Sequence, residues 1–120
     1  MTSNPGGTSD GVVFHLDEGD PAKHAAVLRN INNLLDALGP DTPVELVAHG
    51  PGLPAVLADS PHADALQAVL GRGVRVDACG NTMREKDVAP ERLAPGVTVV
   101  PAGVAQLVLR QREGWSYVRP

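Results

Sequence analysis

From Gly11 onward, short apolar runs alternate with longer stretches of helical period, and this alternation constrains the fold more than any other feature. It predicts an α/β domain with a mainly parallel five-stranded sheet, flavodoxin-like in general form. Val12-Val13-Phe14-His15-Leu16 is nearly continuously apolar, as a strand covered on both faces must be. Asp20 and Pro21 then supply an N-cap carboxylate and a first-turn proline. The helix they open carries Leu28, Ile31, Leu35 and Leu38 on one stripe and ends at Gly39-Pro40.

The second strand is Val44 to Ala48, followed by the turn Gly50-Pro51-Gly52 and a short helical stretch from Pro54 to Leu57. Ser60-Pro61 is expected to cap a helix bearing Ala65, Leu66, Val69 and Leu70, which stops at Gly71-Arg72-Gly73. Val74 to Ala78 makes the third strand. Thr82 and Glu85, at capping-box spacing, are expected to open a short polar helix limited by Pro90. Val97 to Val100 is the fourth strand, Gly103 leads into a helix with Val104, Leu107 and Val108, and Trp115 to Val118 is the fifth strand. Residues 1–10 lack the basic and apolar regions of a signal peptide and are expected to form a disordered tail before one domain, residues 11–120.

Composition removes several functions. A formal charge of −4 offers no basic field for nucleic acid or an anionic membrane. The aromatic residues, Phe14, Trp115 and Tyr117, are too few for base stacking or for holding a flavin. No apolar run approaches the roughly 18–20 residues of a membrane span. A single cysteine forms no internal disulfide, so a cytoplasmic location is expected.

In an open parallel sheet, ligands gather beyond the carboxyl ends of the strands. Those ends carry Asp17, His49-Gly50, Cys79-Gly80-Asn81 and Gly103. Cys79 is the candidate nucleophile, because a helix N-terminus or a nearby cation favours the thiolate, and Gly80 lets the backbone approach closely. His49 and His15 are candidate proton carriers, whereas His24 and His62 read as surface residues. Buried packing is the plainer alternative for the thiol and for His15. Asp17, Glu18 and Asp20 read as a solvated loop that favours the following helix dipole.

A metal site drawn from His15, Asp17, His49 and Cys79 has no zinc-module spacing, so no metal is expected. Gly50-Pro51-Gly52-Leu53-Pro54-Ala55 fits a dinucleotide fingerprint in letters only. Pro51 and Pro54 lack the N–H groups that bind phosphate, and no cofactor is expected.

Ala78-Cys79-Gly80-Asn81-Thr82-Met83 after Gly73-Val74-Arg75-Val76 resembles the DsrE/DsrF-like family of small sulfur-relay proteins. Val12 to Leu16, Val44 to Gly50, Gly96 to Val104 and Gly114 to Val118 match in order and spacing, and the likeness is greatest to the family's single-protein branch. The resemblance implies a three-layer α/β/α domain that forms homo-oligomers, commonly trimers or hexamers. It also implies that Cys79 carries sulfane sulfur as a persulfide between donor and acceptor proteins or small thiols. In that mechanism Asn81 donates a hydrogen bond to the sulfur anion and His49 accepts a proton. His15, Asp17, Gly50, Gly80, Thr82 and Gly103, at or near the strand ends, are the candidates to line the pocket. The alternative is a non-catalytic homo-oligomeric module that binds a small ligand at the strand ends.

Overall fold

The computed structural model describes residues 10–120, so the expected tail, residues 1–10, lies outside the described residues apart from Asp10. The strands are β1 (Val12–Leu16), β2 (Val44–Ala48), β3 (Arg75–Cys79), β4 (Thr98–Val100) and β5 (Ser116–Val118). They form one all-parallel sheet in the order β4-β3-β2-β1-β5. The helices are α1 (Pro21–Leu38), α2 (Ala63–Gly71), α3 (Gly80–Glu85) and α4 (Gly103–Arg112). This is the α/β class expected from the alternation of apolar runs.

Chain direction decides which face each helix covers. From β1 to β4 the chain steps one way across the sheet, then returns past β1 to lay down β5. Right-handed crossovers therefore put α1 and α2 on one face and α4 on the other. Val27, Leu28, Ile31 and Leu35 of α1 pack with Leu66 and Val69 of α2 against Val12, Phe14, Leu16, Leu46, Val76 and Ala78. Met83 of α3 joins this main core. The opposite face holds a much smaller apolar cluster, Val13, Val47 and Leu107, with Trp115 against it.

The Asp20 carboxylate caps α1 by accepting from the Ala22 N–H at 2.9 Å. Gly39, at φ 113°, closes the helix by donating to the Leu35 carbonyl. Several local expectations are corrected. Leu38 is exposed, because the apolar stripe of α1 leaves the core after Leu35. Val104 and Val108 are exposed as well, and Leu107 is the residue that α4 turns inward from that set. Helix α2 starts at Ala63, since Ser60 Oγ accepts from the His62 N–H in the turn before it, and Ala65 faces solvent. The stretch after β2 is a 3-10 helix from Gly50 to Val56. Its Gly52 serves close packing: a Cβ there would lie 2.2 Å from the Leu16 carbonyl oxygen. Strands β3, β4 and β5 each begin one residue later than expected, and β3 runs on to Cys79. Strands β4 and β5 are short because each pairs with one neighbour over three residues. No helix among the described residues is long and apolar enough to cross a membrane.

Candidate functional site

Where neighbouring parallel strands send their helices to opposite faces, the two loops part and leave a crevice. Here that point lies between β3, which runs into α3, and β4, which runs toward α4. Cys79 ends β3 at this point, paired in register with Val100. It is also the N-cap of α3, where Thr82 was expected. The helix therefore opens three residues before the capping-box reading placed it. A cysteine is not among the usual cap residues, and the sulfur here takes the role that an oxygen normally fills.

Amides from two helix starts converge on Cys79 Sγ. The Gly103 N–H donates from 3.2 Å and the Thr82 N–H from 3.5 Å. Burial pushes the thiol up, but hydrogen bonds from the Thr82 hydroxyl and from the Thr82, Gly103 and Asn81 amides outweigh it. The thiol consequently sits below its ordinary value. Donors aimed at sulfur favour the anion. Thr82 is itself fixed in place, since its Oγ1 accepts from the Gly50 N–H at 2.8 Å. Cys79 is only 4% exposed, so an incoming group has a narrow approach.

Gly103 separates the thiol from the histidines. A Cβ at this glycine would stand 3.0 Å from His49 Cβ and 3.3 Å from Cys79 Cβ. The His49 ring turns toward His15: His49 Nδ1 lies 3.0 Å from His15 Nε2, and the rings stack at 4.8 Å between centroids. His15 Nδ1 is 2.6 Å from the Tyr117 hydroxyl on β5. Asp17 places Oδ2 3.9 Å from His15 Nε2 while Oδ1 accepts from Arg119 at 2.9 Å. Burial first, then the neighbouring His49, lowers the His15 pKa, with Asp17 opposing. Among the described residues, no hydrogen bond joins either histidine to the Cys79 sulfur.

The remaining expected residues are distributed unevenly. The Asn81 side chain points outward and accepts from Arg84, so this residue reaches the sulfur through its backbone amide. Gly80 lines an apolar groove of about 190 Å³ with Met83, Arg84, Val88, Pro90 and Val99, beside the β4 edge. Gly50 and Gly103 meet the site through their N–H groups. His24, expected at the surface, is buried and bonded from Nε2 to the Glu18 carbonyl, with His62 edge-on to its ring.

The sequence reading missed a second polar group on the same face. Glu45 on β2 and Asp77 on β3 are fully buried beneath α4. Glu45 accepts from Arg110 at 2.5 Å and Gln106 at 2.7 Å, and Asp77 accepts from Arg75 at 2.7 Å. Burial, then a hydrogen bond to Glu45 and the repulsion of its charge, pushes Asp77 up to about 7, against the pull of Arg75. Burial also pushes Glu45 up, but hydrogen bonds from Asp77, Arg110 and Gln106 bring it below its ordinary value. Of the two carboxyls, Asp77 is therefore the one that favours its protonated form. A signal was present in the strand pattern: Arg75, Asp77 and Cys79 alternate with Val74, Val76 and Ala78, the period of a strand with one polar face. Tyr117 and Arg119 were also missed, because their contacts depend on β5 lying beside β1.

The family model described as the DsrE/DsrF-like family matches residues 11–120. A solved structure, the protein of unknown function MTH1491 from Methanobacterium thermoautotrophicum, is 38% identical. It matches with a TM-score of 0.89 over 92% of this chain and 99% of its own. The ychN protein from E. coli shares the fold at 13% identity, with a TM-score of 0.78 over 92% of this chain and 99% of that one. No curated protein matches this chain.

Proposed function

The chain belongs to the DsrE/DsrF-like family, and we propose that it acts as an intracellular, cytoplasmic sulfur carrier through a persulfide on Cys79. The observation that carries this reading is the pair of amides, from Thr82 and Gly103, that meet at Cys79 Sγ. They favour a thiolate by donating directly to the sulfur, and the attacking species in such exchange is the thiolate.

In the loading step, the Cys79 thiolate attacks the outer sulfur of a donor persulfide. A new S–S bond forms at Sγ, the donor S–S bond breaks, and its electron pair leaves as the donor thiolate. In the second step an acceptor thiolate attacks the outer sulfur on Cys79, and the Cys79 thiolate departs. No external oxidant or reductant enters either exchange. With one cysteine in the chain there is no internal resolving thiol, so sulfur passes to a partner protein or a small thiol. His49 takes the proton of an incoming thiol across Gly103, and the Asn81 amide supports the anion.

Assembly into a homo-oligomer, a trimer or hexamer, belongs to the same proposal. Val104 and Val108 form an exposed apolar stripe on α4. Covering that surface with a second copy would remove apolar area from water.

The test is to incubate the protein with a persulfide donor and measure intact mass before and after reduction. A reducible gain of one sulfur, absent in Cys79→Ser, is expected. Failure to load under conditions that load a control carrier would sink the reading. One observation favours the second reading, a ligand-binding module with a packed thiol: the low exposure of Cys79. Under that reading the native protein resists alkylation at neutral pH and reacts only on unfolding.

A further inference from the structure

The sulfur chemistry above leaves His15 and Asp17 without a task. They meet His49 at the carboxyl ends of β1 and β2, brought together by a register that pairs His15 with Val47 and Leu16 with Ala48. One ligand atom from each of His15, Asp17 and His49 lies within 4.8 Å of the others. We infer that these three residues form a binding site for a divalent cation of the zinc class.

Two imidazole nitrogens and one carboxylate oxygen are a donor set for borderline first-row ions, and three protein ligands leave a position open. Zinc–ligand bonds of roughly 2.0–2.2 Å put tetrahedral neighbours about 3.3 Å apart. His15 Nε2 and His49 Nδ1 stand 3.0 Å apart, close to that spacing. Asp17 Oδ2, at 3.9 Å from His15 Nε2, reaches it by side-chain rotation. In the metal-free protein the two facing nitrogens share one N–H. A cation replaces that hydrogen bond when each imidazole carries its proton on the far nitrogen, so no net proton leaves the pair.

The surroundings fit this role. His15 Nδ1, turned away from the cluster, meets the Tyr117 hydroxyl at 2.6 Å. An N–H donated there fixes the tautomer that presents the Nε2 lone pair, which is the usual outer contact of a metal-ligating histidine. Arg119 holds Asp17 by Oδ1 and leaves Oδ2 on the histidine side. The guanidinium opposes a cation, and the Asp17 carboxylate stands between them. No short-range ligand spacing announces the site, because His15 and His49 are separated by 34 positions in the chain.

The site does not depend on sulfur transfer, and its test separates the two. Zinc chloride is titrated calorimetrically into the untagged full chain, into Cys79→Ser, and into three variants with folding checked by circular dichroism. His49→Ala keeps the Cβ that packs on Gly103, Asp17→Asn keeps the side-chain shape, and Tyr117→Phe removes one hydroxyl. The expected result is one zinc per chain in the wild type and in Cys79→Ser. Binding should weaken at least ten-fold in His49→Ala and Asp17→Asn, and roughly 10- to 100-fold in Tyr117→Phe. No binding by the wild type at micromolar protein, loss in Cys79→Ser, or unchanged affinity in either ligand variant would overturn the assignment.

Discussion

The same strands present opposite chemistry to the two faces of the sheet. Toward α1 and α2, β1 turns Val12, Phe14 and Leu16, and β2 turns Val44, Leu46 and Ala48, all within the main apolar core. Toward α4, the alternate positions are Val13 and His15, Glu45 and Val47, then Arg75, Asp77 and Cys79. One face derives its stability from close apolar packing. The other holds buried polar groups, and each needs a partner to offset lost hydration. Glu45, His15 and Cys79 find those partners on α4, β5 and the start of α3, and Asp77 finds Arg75 on its own strand. Stability and chemistry are thereby separated by one strand period.

The largest expected effect tests the apolar side. Leu46→Ala should cost about 3 kcal/mol in denaturant unfolding, since it opens a cavity in the main core. Leu107→Ala, in the small cluster with Val13 and Val47, should cost about half as much, because solvent and α4 can relax into the space. Equal losses would erase the distinction between the faces.

Asp77 tests the polar side through pH. Its folded-state pKa, about 7, lies above the ordinary 3.8. The stability linked to its proton is therefore complete below the ordinary value and is lost as pH rises through about 7. Wild-type stability should fall by on the order of 2 kcal/mol between pH 5 and 8. Asp77→Asn, which keeps a donor toward Glu45, should flatten that decline. An identical pH profile in the variant would remove Asp77 as its source.

A smaller effect belongs to Thr82. Thr82→Val deletes the hydroxyl bonded to Cys79 and the acceptor for the Gly50 amide. The thiol pKa should rise, because the sulfur anion loses one of the hydrogen bonds that favour it. Smallest of all, Val104→Ser on exposed α4 should leave folding within about 0.5 kcal/mol. Sedimentation should nevertheless show the proposed oligomer weakened.

The central strands were legible because Val12–Leu16 and Val44–Ala48 are almost unbroken apolar runs with coil on both sides. Asp20-Pro21 marked the start of α1 for an equally local reason. The edge strands were less legible, since pairing with a single neighbour, and not composition, sets where β4 and β5 begin. Helix faces were misassigned at Leu38, Val104 and Val108 because an apolar side chain does not reveal whether the fold supplies a partner. At the site, Cys79 stood out as the lone thiol after a strand. The His15–Tyr117 bond and the Glu45–Arg110 pair join residues 102 and 65 positions apart, and only the topology brings those together.

The pH dependence of Cys79 alkylation in the native protein tests most directly the claim that the polar face holds a stabilised thiolate. The expected rate rises with pH through a midpoint below the ordinary thiol value of 9.0, and that midpoint moves upward in Thr82→Val. A midpoint at or above 9.0, or a thiol that reacts only after unfolding, would contradict it.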